Sequence, residues 1–206
     1  STRLSDYDNA FPFKDGSMNQ SSGLLFARGQ KNISITGFGT IDGQGGSKTF
    51  QFGNDADGGP KRPKIIYFVE CKGIVVTDVT LRNSAYWVQH YEKCEDVTIR
   101  GLKVFSHCNY NNDGLDIDAK NATISDCYID VEDDAICFKS DHPEFCENIT
   151  VTNCVTASNC NAIKFGTASH GGYRNIAVSN CVVRRAAEDN IRHWSKQLEH
   201  ISADVT

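Results

Sequence analysis

The stretch Asn148-Ile149-Thr150-Val151 is one of six related four-residue phrases in this chain of 206 residues. The last five copies begin 23, 25, 27 and 27 residues apart. In most copies a Thr or Ser separates two apolar residues, an alternation that is typical of a strand with one inward face. A β-type repeat of this length predicts stacked coils of chain rather than a globular sandwich. The copies begin at Asn32, Gly73, Asp96, Asn121, Asn148 and Asn175, and a fainter one begins at His200.

A second short strand is predicted between successive phrases. Leu115-Asp-Ile117, Ala135-Ile-Cys-Phe138 and Ala162-Ile-Lys-Phe165 are examples, and Gly, Asn and Asp mark the turns between strands. A leucine-rich repeat has a similar length, but its recurrent Leu frame is absent. We therefore expect an all-β fold, a parallel β-helix or solenoid, in a single domain over residues 1–206.

Charge and hydropathy argue against two kinds of partner. The net charge of −5 gives no electrostatic basis for binding nucleic acid. No apolar run approaches the roughly 20 residues that cross a membrane. We therefore expect neither nucleic acid nor a membrane as a partner.

The nine cysteines are interpreted mainly as core residues. Several recur at the same position relative to the repeat phrase, as Cys127, Cys154 and Cys181 do. Small apolar side chains stacked in columns explain this spacing. Disulfides are a second interpretation, and metal binding is a third.

Acidic residues are the main candidates for chemistry. Alignment of the second strands places Asp113, Asp134 and Asn161 on successive coils, with Asp133 one position before Asp134 and Asp116 nearby. Adjacent strands lie about 4.8 Å apart, so these side chains are expected to meet. Carboxyl groups this close cannot all ionise freely, and at least one pKa should rise. The same alignment predicts a column of positive charge from Lys164 and Arg192 at the same end.

Three interpretations of this acidic cluster remain open at this point. A glycoside hydrolase needs one protonated carboxyl group and one or two ionised carboxylates. Calcium favours six to eight oxygen ligands, which an acidic cluster can supply. Asp and Asn are also common in turns, where they bind backbone groups.

Four stretches of the chain resemble glycoside hydrolase family 28, the polygalacturonase family. Gly39-Thr-Ile-Asp-Gly-Gln-Gly45 resembles an early Gly-rich coil of that family. Arg82-Asn-Ser-Ala-Tyr-Trp87, followed by His90, resembles its Asn-Ser-Pro-x-Trp segment. Asn111-Asn-Asp-Gly-Leu-Asp-Ile117 resembles the Asn-Thr-Asp signature, and Glu132-Asp-Asp-Ala-Ile136 resembles the Asp-Asp signature. Four such stretches in order favour the hydrolase interpretation.

The resemblance implies a right-handed parallel β-helix and an inverting hydrolase of pectic polysaccharide or oligosaccharide. By position, it implies that Asp133 is the general acid and that Asp113 and Asp134 activate water. It implies no cofactor and no metal. It also implies a secreted or periplasmic protein, with the signal peptide not in this chain.

Two later stretches depart from the family pattern. Cys160-Asn161-Ala162 stands where the family has Gly-His-Gly, and Arg192-His-Trp194 stands where it has Arg-Ile-Lys. Arg192 can still bind a carboxylate through two hydrogen bonds, and Trp194 either stacks on a sugar or belongs to the core. Lys139 and Lys164 are candidates to restore the missing positive charge. The candidate substrate-binding residues are Asn111, Asp116, Lys139, Asn161, Lys164, His170, Arg192 and Trp194.

The chain ends inside a repeat, so an incomplete set of coils is expected, at least at the C-terminus. A bare terminal coil exposes apolar area and unpaired strand groups, which favours self-association. Residues 50–62 are interpreted as an inserted loop that borders the cleft. Two alternative functions are a polysaccharide lyase on the same fold and a non-catalytic carbohydrate-binding β-helix.

Overall fold

The computed structural model of the chain describes residues 1–7, 22–50 and 62–185. Arg192, Trp194 and the repeat copy at His200 lie outside the described residues, as does most of the predicted loop at 50–62. Two short 3₁₀ helices span Leu4–Tyr7 and Lys48–Phe50. The strands are β1 Gly23–Arg28, β2 Lys31–Thr36, β3 Thr40–Asp42, β4 Lys64–Val69, β5 Lys72–Thr77, β6 Thr80–Arg82, β7 Gln89–Arg100, β8 Lys103–Ser106, β9 Leu115–Ser125, β10 Tyr128–Val131, β11 Ile136–Ser140, β12 Cys146–Thr152, β13 Val155–Ser158, β14 Ile163–Ser169, β15 Tyr173–Ser179 and β16 Val182–Arg185.

The strands form a parallel β-helix, as the sequence predicts. One ten-stranded sheet contains the path β1-β4-β7-β9-β11-β14, and a six-stranded sheet runs β16-β13-β10-β8-β6-β3. Each coil adds one strand to the smaller sheet and one or two strands to the larger sheet, and neighbouring coils pair in parallel. Ile149 of β12 pairs with Ala122 of β9 and with Ile176 of β15, so the repeat phrases are in register. That residues 1–206 form a single domain stays a prediction.

The first residue of each repeat phrase makes a left-handed turn. The φ angles of Asn121, Asn148 and Asn175 are 58°, 58° and 53°. Asn and Asp tolerate this conformation better than other non-glycine residues, and Gly73 takes the same place in its coil with φ 71°. The amides also form a ladder, in which Asn175 donates to Asn148 at 2.9 Å and Asn148 donates to Asn121 at 3.1 Å. The repeat is therefore set by turn chemistry as much as by apolar alternation.

The core lies between the two sheets and is filled by the inward apolar pairs. Ile149 and Val151 are fully buried, and the equivalent residues of the neighbouring coils join the same cluster. The cluster includes five cysteines, Cys71, Cys94, Cys127, Cys146 and Cys154. All nine cysteines are free thiols. The core interpretation is therefore confirmed for these five, and the alternative of disulfides is wrong. The described residues contain no helix long and apolar enough to cross a membrane.

Candidate active site

The parallel register brings the predicted carboxylates together. The amide of Gly114 donates to the carbonyl of Asp134 at 2.8 Å, and the amide of Ala135 donates to that of Asn161 at 2.8 Å. Asp113, Asp134 and Asn161 therefore lie on three successive coils, as their alignment predicts. Acceptor atoms of Asp133, Asp134 and Cys160 all lie within 4.8 Å of one another.

Asp134 is held from the next coil by two donors. The amide of Asn161 donates to Oδ1 at 2.7 Å, and the ammonium of Lys164 donates to Oδ2 at 2.8 Å. The carboxyl side chain is almost fully buried, whereas Lys164 is partly exposed. Lys164 and Asn161 thus fix the orientation of this acid from the side of β14.

Asp133 is more accessible and is held by weaker contacts. Oδ2 accepts from the Asn111 amide at 3.2 Å, and Oδ1 accepts from the backbone of Asp134 at 2.9 Å. Burial, and then the charge of Asp134, raises the pKa of Asp133, although the Cys160 thiol and Lys164 oppose that rise. A raised pKa on an accessible carboxyl group is what a general acid requires.

Asp113 is buried beside Asp116. Burial, followed by the charges of Asp116 and Asp133, raises the pKa of Asp113 well above its ordinary value. Its Oδ1 atom has no hydrogen-bond partner among the described residues. The raised pKa favours the protonated form of Asp113 in the structure without a ligand. The resemblance, by contrast, implies an ionised Asp113 that activates water.

Lys139 compensates the inner carboxylates. Its Nζ lies 3.2 Å from Asp116 Oδ1 and 3.9 Å from Asp113 Oδ2. It lowers the pKa of both acids, but burial still raises the pKa of Asp116 to about 6. Asp116 is fully buried and Lys139 is 6% exposed, so both lie beneath the more accessible Asp133.

His170 is not brought into the carboxylate cluster by any contact in the described structure. Its side chain is exposed, and its backbone amide donates to Ser140 O at 2.7 Å. The neighbouring Gly171 packs against the 140–145 loop so closely that a Cβ would lie 2.1 Å from Glu144 O. The turn is therefore anchored through its backbone.

Two residues that support the site were not predicted from the sequence. Arg62 is buried, and its guanidinium donates to Tyr110 O at 2.6 Å, to Ala85 O at 3.2 Å and to Asn111 Oδ1 at 3.4 Å. Asn112 is fully buried and donates to the carbonyls of Ser84 and Tyr86, each at 2.9 Å. Asn112 carries a sequence signal, since asparagine often binds backbone groups in turns. Arg62 has no such sequence signal, because only the fold brings it into contact with Ala85, Tyr110 and Asn111.

Comparison with known families assigns the chain independently of the site geometry. The family model of glycosyl hydrolases family 28 matches residues 10–196. The chain belongs to glycosyl hydrolases family 28. The resemblance found in the four sequence stretches is therefore confirmed.

Curated family 28 relatives are polygalacturonases. A probable polygalacturonase of Vitis vinifera is 32% identical over 138 residues, which are 64% of this chain and 27% of the relative. A probable exopolygalacturonase X of Neosartorya fischeri is 27% identical over 144 residues, 67% of this chain and 32% of the relative. The chain thus spans about a third or less of the length of these two relatives.

Two solved structures share the fold. The hyperthermoactive exopolygalacturonase from Thermotoga maritima has a TM-score of 0.67 at 23% identity, covering 80% of this chain and 49% of that one. The family 28 exopolygalacturonase of Yersinia enterocolitica has a TM-score of 0.65 at 19% identity, covering 91% and 48%. Both comparisons support a parallel β-helix as the fold of this chain.

Proposed function

We propose that this chain carries the catalytic groove of a pectin-degrading hydrolase that cleaves glycosidic bonds with inversion. The observation that carries the proposal is the placement of three carboxyl groups with different environments on two adjacent coils. Asp134 is bound by an amide and an ammonium, Asp133 is accessible with a raised pKa, and Asp113 lies below them. Family membership and the names of the relatives point to the same chemistry.

In the proposed reaction, Asp133 donates its proton to the glycosidic oxygen as the bond to the anomeric carbon breaks. A water molecule attacks that carbon from the opposite face, and Asp134 with Asp113 accepts the proton that the water loses. An inverting pair of carboxyl groups is ordinarily about 6.5–9.5 Å apart, whereas Asp133 and Asp134 have oxygens within 4.8 Å of each other. The proposal of inversion therefore rests on the family assignment and not on this spacing. The reaction consumes one water and needs no cofactor or metal.

The proposed substrate is a pectic polysaccharide or oligosaccharide. Lys164 and Lys139 are the described cations nearest to the acids, and Asn111 and Asn161 offer amides at the same place. These side chains are the proposed substrate contacts around the cleaved bond. Arg192, Trp194 and His170 complete the proposal from the sequence alone. The family assignment also supports a secreted or periplasmic location.

The decisive experiment replaces Asp133 with Asn. Asp133→Asn keeps the shape of the side chain but removes its proton, so the rate on oligogalacturonides should fall at least about 100-fold. The matched control is Asp78→Asn, which makes the same chemical change at a turn residue with φ 66° that Asn tolerates. Reducing-end release and thermal melting are measured for both.

Near-normal activity of a folded Asp133→Asn protein would contradict the assignment. Proton NMR of the first product tests inversion through its anomeric configuration. An unsaturated product that absorbs ultraviolet light would instead indicate a lyase.

A further inference from the structure

His90 occupies a distinctive place on the outer face of the larger sheet. In register, it pairs with Tyr67 of β4 on one side and with Asp116 of β9 on the other. Asp116 in turn pairs with Cys137, and Cys137 pairs with Lys164. His90 thus lies one coil before the inner carboxylates, in the same column as residues of the proposed active site.

Both ring nitrogens of His90 lack a hydrogen-bond partner in the part of the chain that the structure describes. The residue is only 3% exposed, so water does not readily replace the missing partners. A buried polar group without a hydrogen bond carries a desolvation penalty. A groove-bound ligand with hydroxyl and carboxylate oxygens would remove that penalty.

Aromatic neighbours fix the plane of the His90 ring. Tyr67 stacks on it with ring centroids 5.3 Å apart and an interplanar angle of 9°. Trp87 meets it edge-to-face at 5.0 Å and 86°. Because these contacts fix the ring plane, they also fix the directions in which the two ring nitrogens can form hydrogen bonds. Trp87 is only partly buried, which places this part of the groove within reach of solvent.

Positive groups dominate the surroundings of His90. Burial, and then the charges of Lys64, Lys139 and His142, lowers its pKa well below the ordinary value, so the ring is neutral. The Lys64 ammonium lies 3.9 Å from the Tyr67 ring centroid and 4.8 Å from that of Trp87. Burial lowers the pKa of Lys64 to about 8, which leaves it mostly charged at neutral pH.

The neighbouring carboxylates are engaged with other groups. Glu92 binds the Tyr67 hydroxyl at 2.6 Å and the His142 ring at 2.9 Å. Asp116 pairs with Lys139, and Asp141, which also acts on Lys64, is partly exposed. These three acids raise the pKa of Lys64. None of them is among the charges that act most strongly on His90.

We propose that His90 and Lys64 form a subsite for the carboxylate of a hexuronate unit, one coil to the N-terminal side of the cleaved bond. This inference rests on the proposed function and names two substrate contacts beyond it. One nitrogen of the neutral ring carries hydrogen and donates to the carboxylate, the other nitrogen accepts from a sugar hydroxyl, and Lys64 supplies the charge. His90 is buried to the same extent as Asp113 of the proposed active site, since both are 3% exposed. The subsite should prefer the free acid to its methyl ester.

The test measures binding without turnover. An Asp133→Asn protein is titrated by calorimetry with a linear galacturonate hexamer and with its fully methyl-esterified form. In that background, His90→Phe should weaken binding of the free acid at least tenfold and binding of the ester less than twofold. His90→Gln keeps a donor and an acceptor and should lose less than His90→Phe. His107→Phe, at the residue that follows β8, is the matched control and should change neither affinity.

Unchanged binding of the free acid by His90→Phe would overturn the proposal, as would an equal loss for both ligands or no binding by the parent. If His90→Phe does not fold, Lys64→Gln provides the same comparison. Lys64→Gln must also weaken binding of the free acid more than binding of the ester. Failure of the proposed function gives a different result. In that case the wild-type protein releases no product, whereas the calorimetric comparison still reports on the subsite.

Discussion

At the scale of single residues, the larger sheet carries acids that are buried and have raised pKa values. Burial raises the pKa of Asp118 from 3.8 to about 7, and that of Asp116 to about 6. An acid whose pKa is higher in the folded state binds its proton more tightly when folded. Its contribution to the free energy of unfolding is therefore lost as the pH rises from the unfolded to the folded pKa.

Asp118 offers a test of this sign. Between pH 3.8 and about 7 the wild-type protein should lose stability relative to Asp118→Asn, which has no charge to bury. Asn can still accept the hydrogen bond that the backbone of Asp141 donates at 3.2 Å. His90 works in the opposite direction, because its lowered pKa costs stability as the pH falls below 6.5. The difference between the two proteins isolates Asp118, since His90 is present in both.

Urea unfolding at about pH 4.5 and about pH 7.5 measures this difference. The advantage of Asp118→Asn over the wild type should be larger at the higher pH. An advantage that is constant, or that shrinks as the pH rises, would show that Asp118 is not buried in its charged form. Asp126→Asn at an exposed turn is the matched control for the substitution itself.

At the scale of elements, the amide ladder couples neighbouring turns. Asn148 combines a left-handed backbone with hydrogen bonds to Asn121 and Asn175. Asn148→Ala should lower the free energy of unfolding by about 1–2 kcal/mol, mainly because alanine is strained at this φ. Asn148→Gly accepts the φ without strain, so it should retain more stability and reveal the contribution of the ladder alone. Urea denaturation of both variants makes the comparison, and a greater loss in the glycine variant would contradict it.

The elements also show which parts of the site are predictable from sequence. Asp134 and Asn161 each lie 13 residues after the start of a repeat phrase, whereas Asp113 lies 17 residues after one. The matching second-strand stretches that follow these residues, rather than a fixed distance, therefore predict their alignment. Arg62 and His90 do not follow from that pattern, because their roles depend on side chains that cross from one coil to another. Lys139 is a candidate from the sequence, but its contact with Asp116 on the preceding coil is set by the fold.

At the scale of the whole molecule, one apolar column runs through the larger sheet. Val76, Ile99, Ile124 and Val151 follow one another in register and are each at most 1% exposed. Val178 continues the column but is 39% exposed. In a solenoid each coil contacts only its neighbours, so the cost of a substitution should follow its position along the axis.

The middle of this column should therefore be the most sensitive place in the fold. Ile124→Ala removes a fully buried side chain between Ile99 and Val151, which should cost about 2–5 kcal/mol of unfolding free energy. Val178→Ala removes fewer buried atoms and should cost less than about 1 kcal/mol. Equal losses in urea denaturation would contradict this gradient. Because β9 contains both Ile124 and Asp116, a weakened middle coil should also reduce activity before the chain unfolds globally.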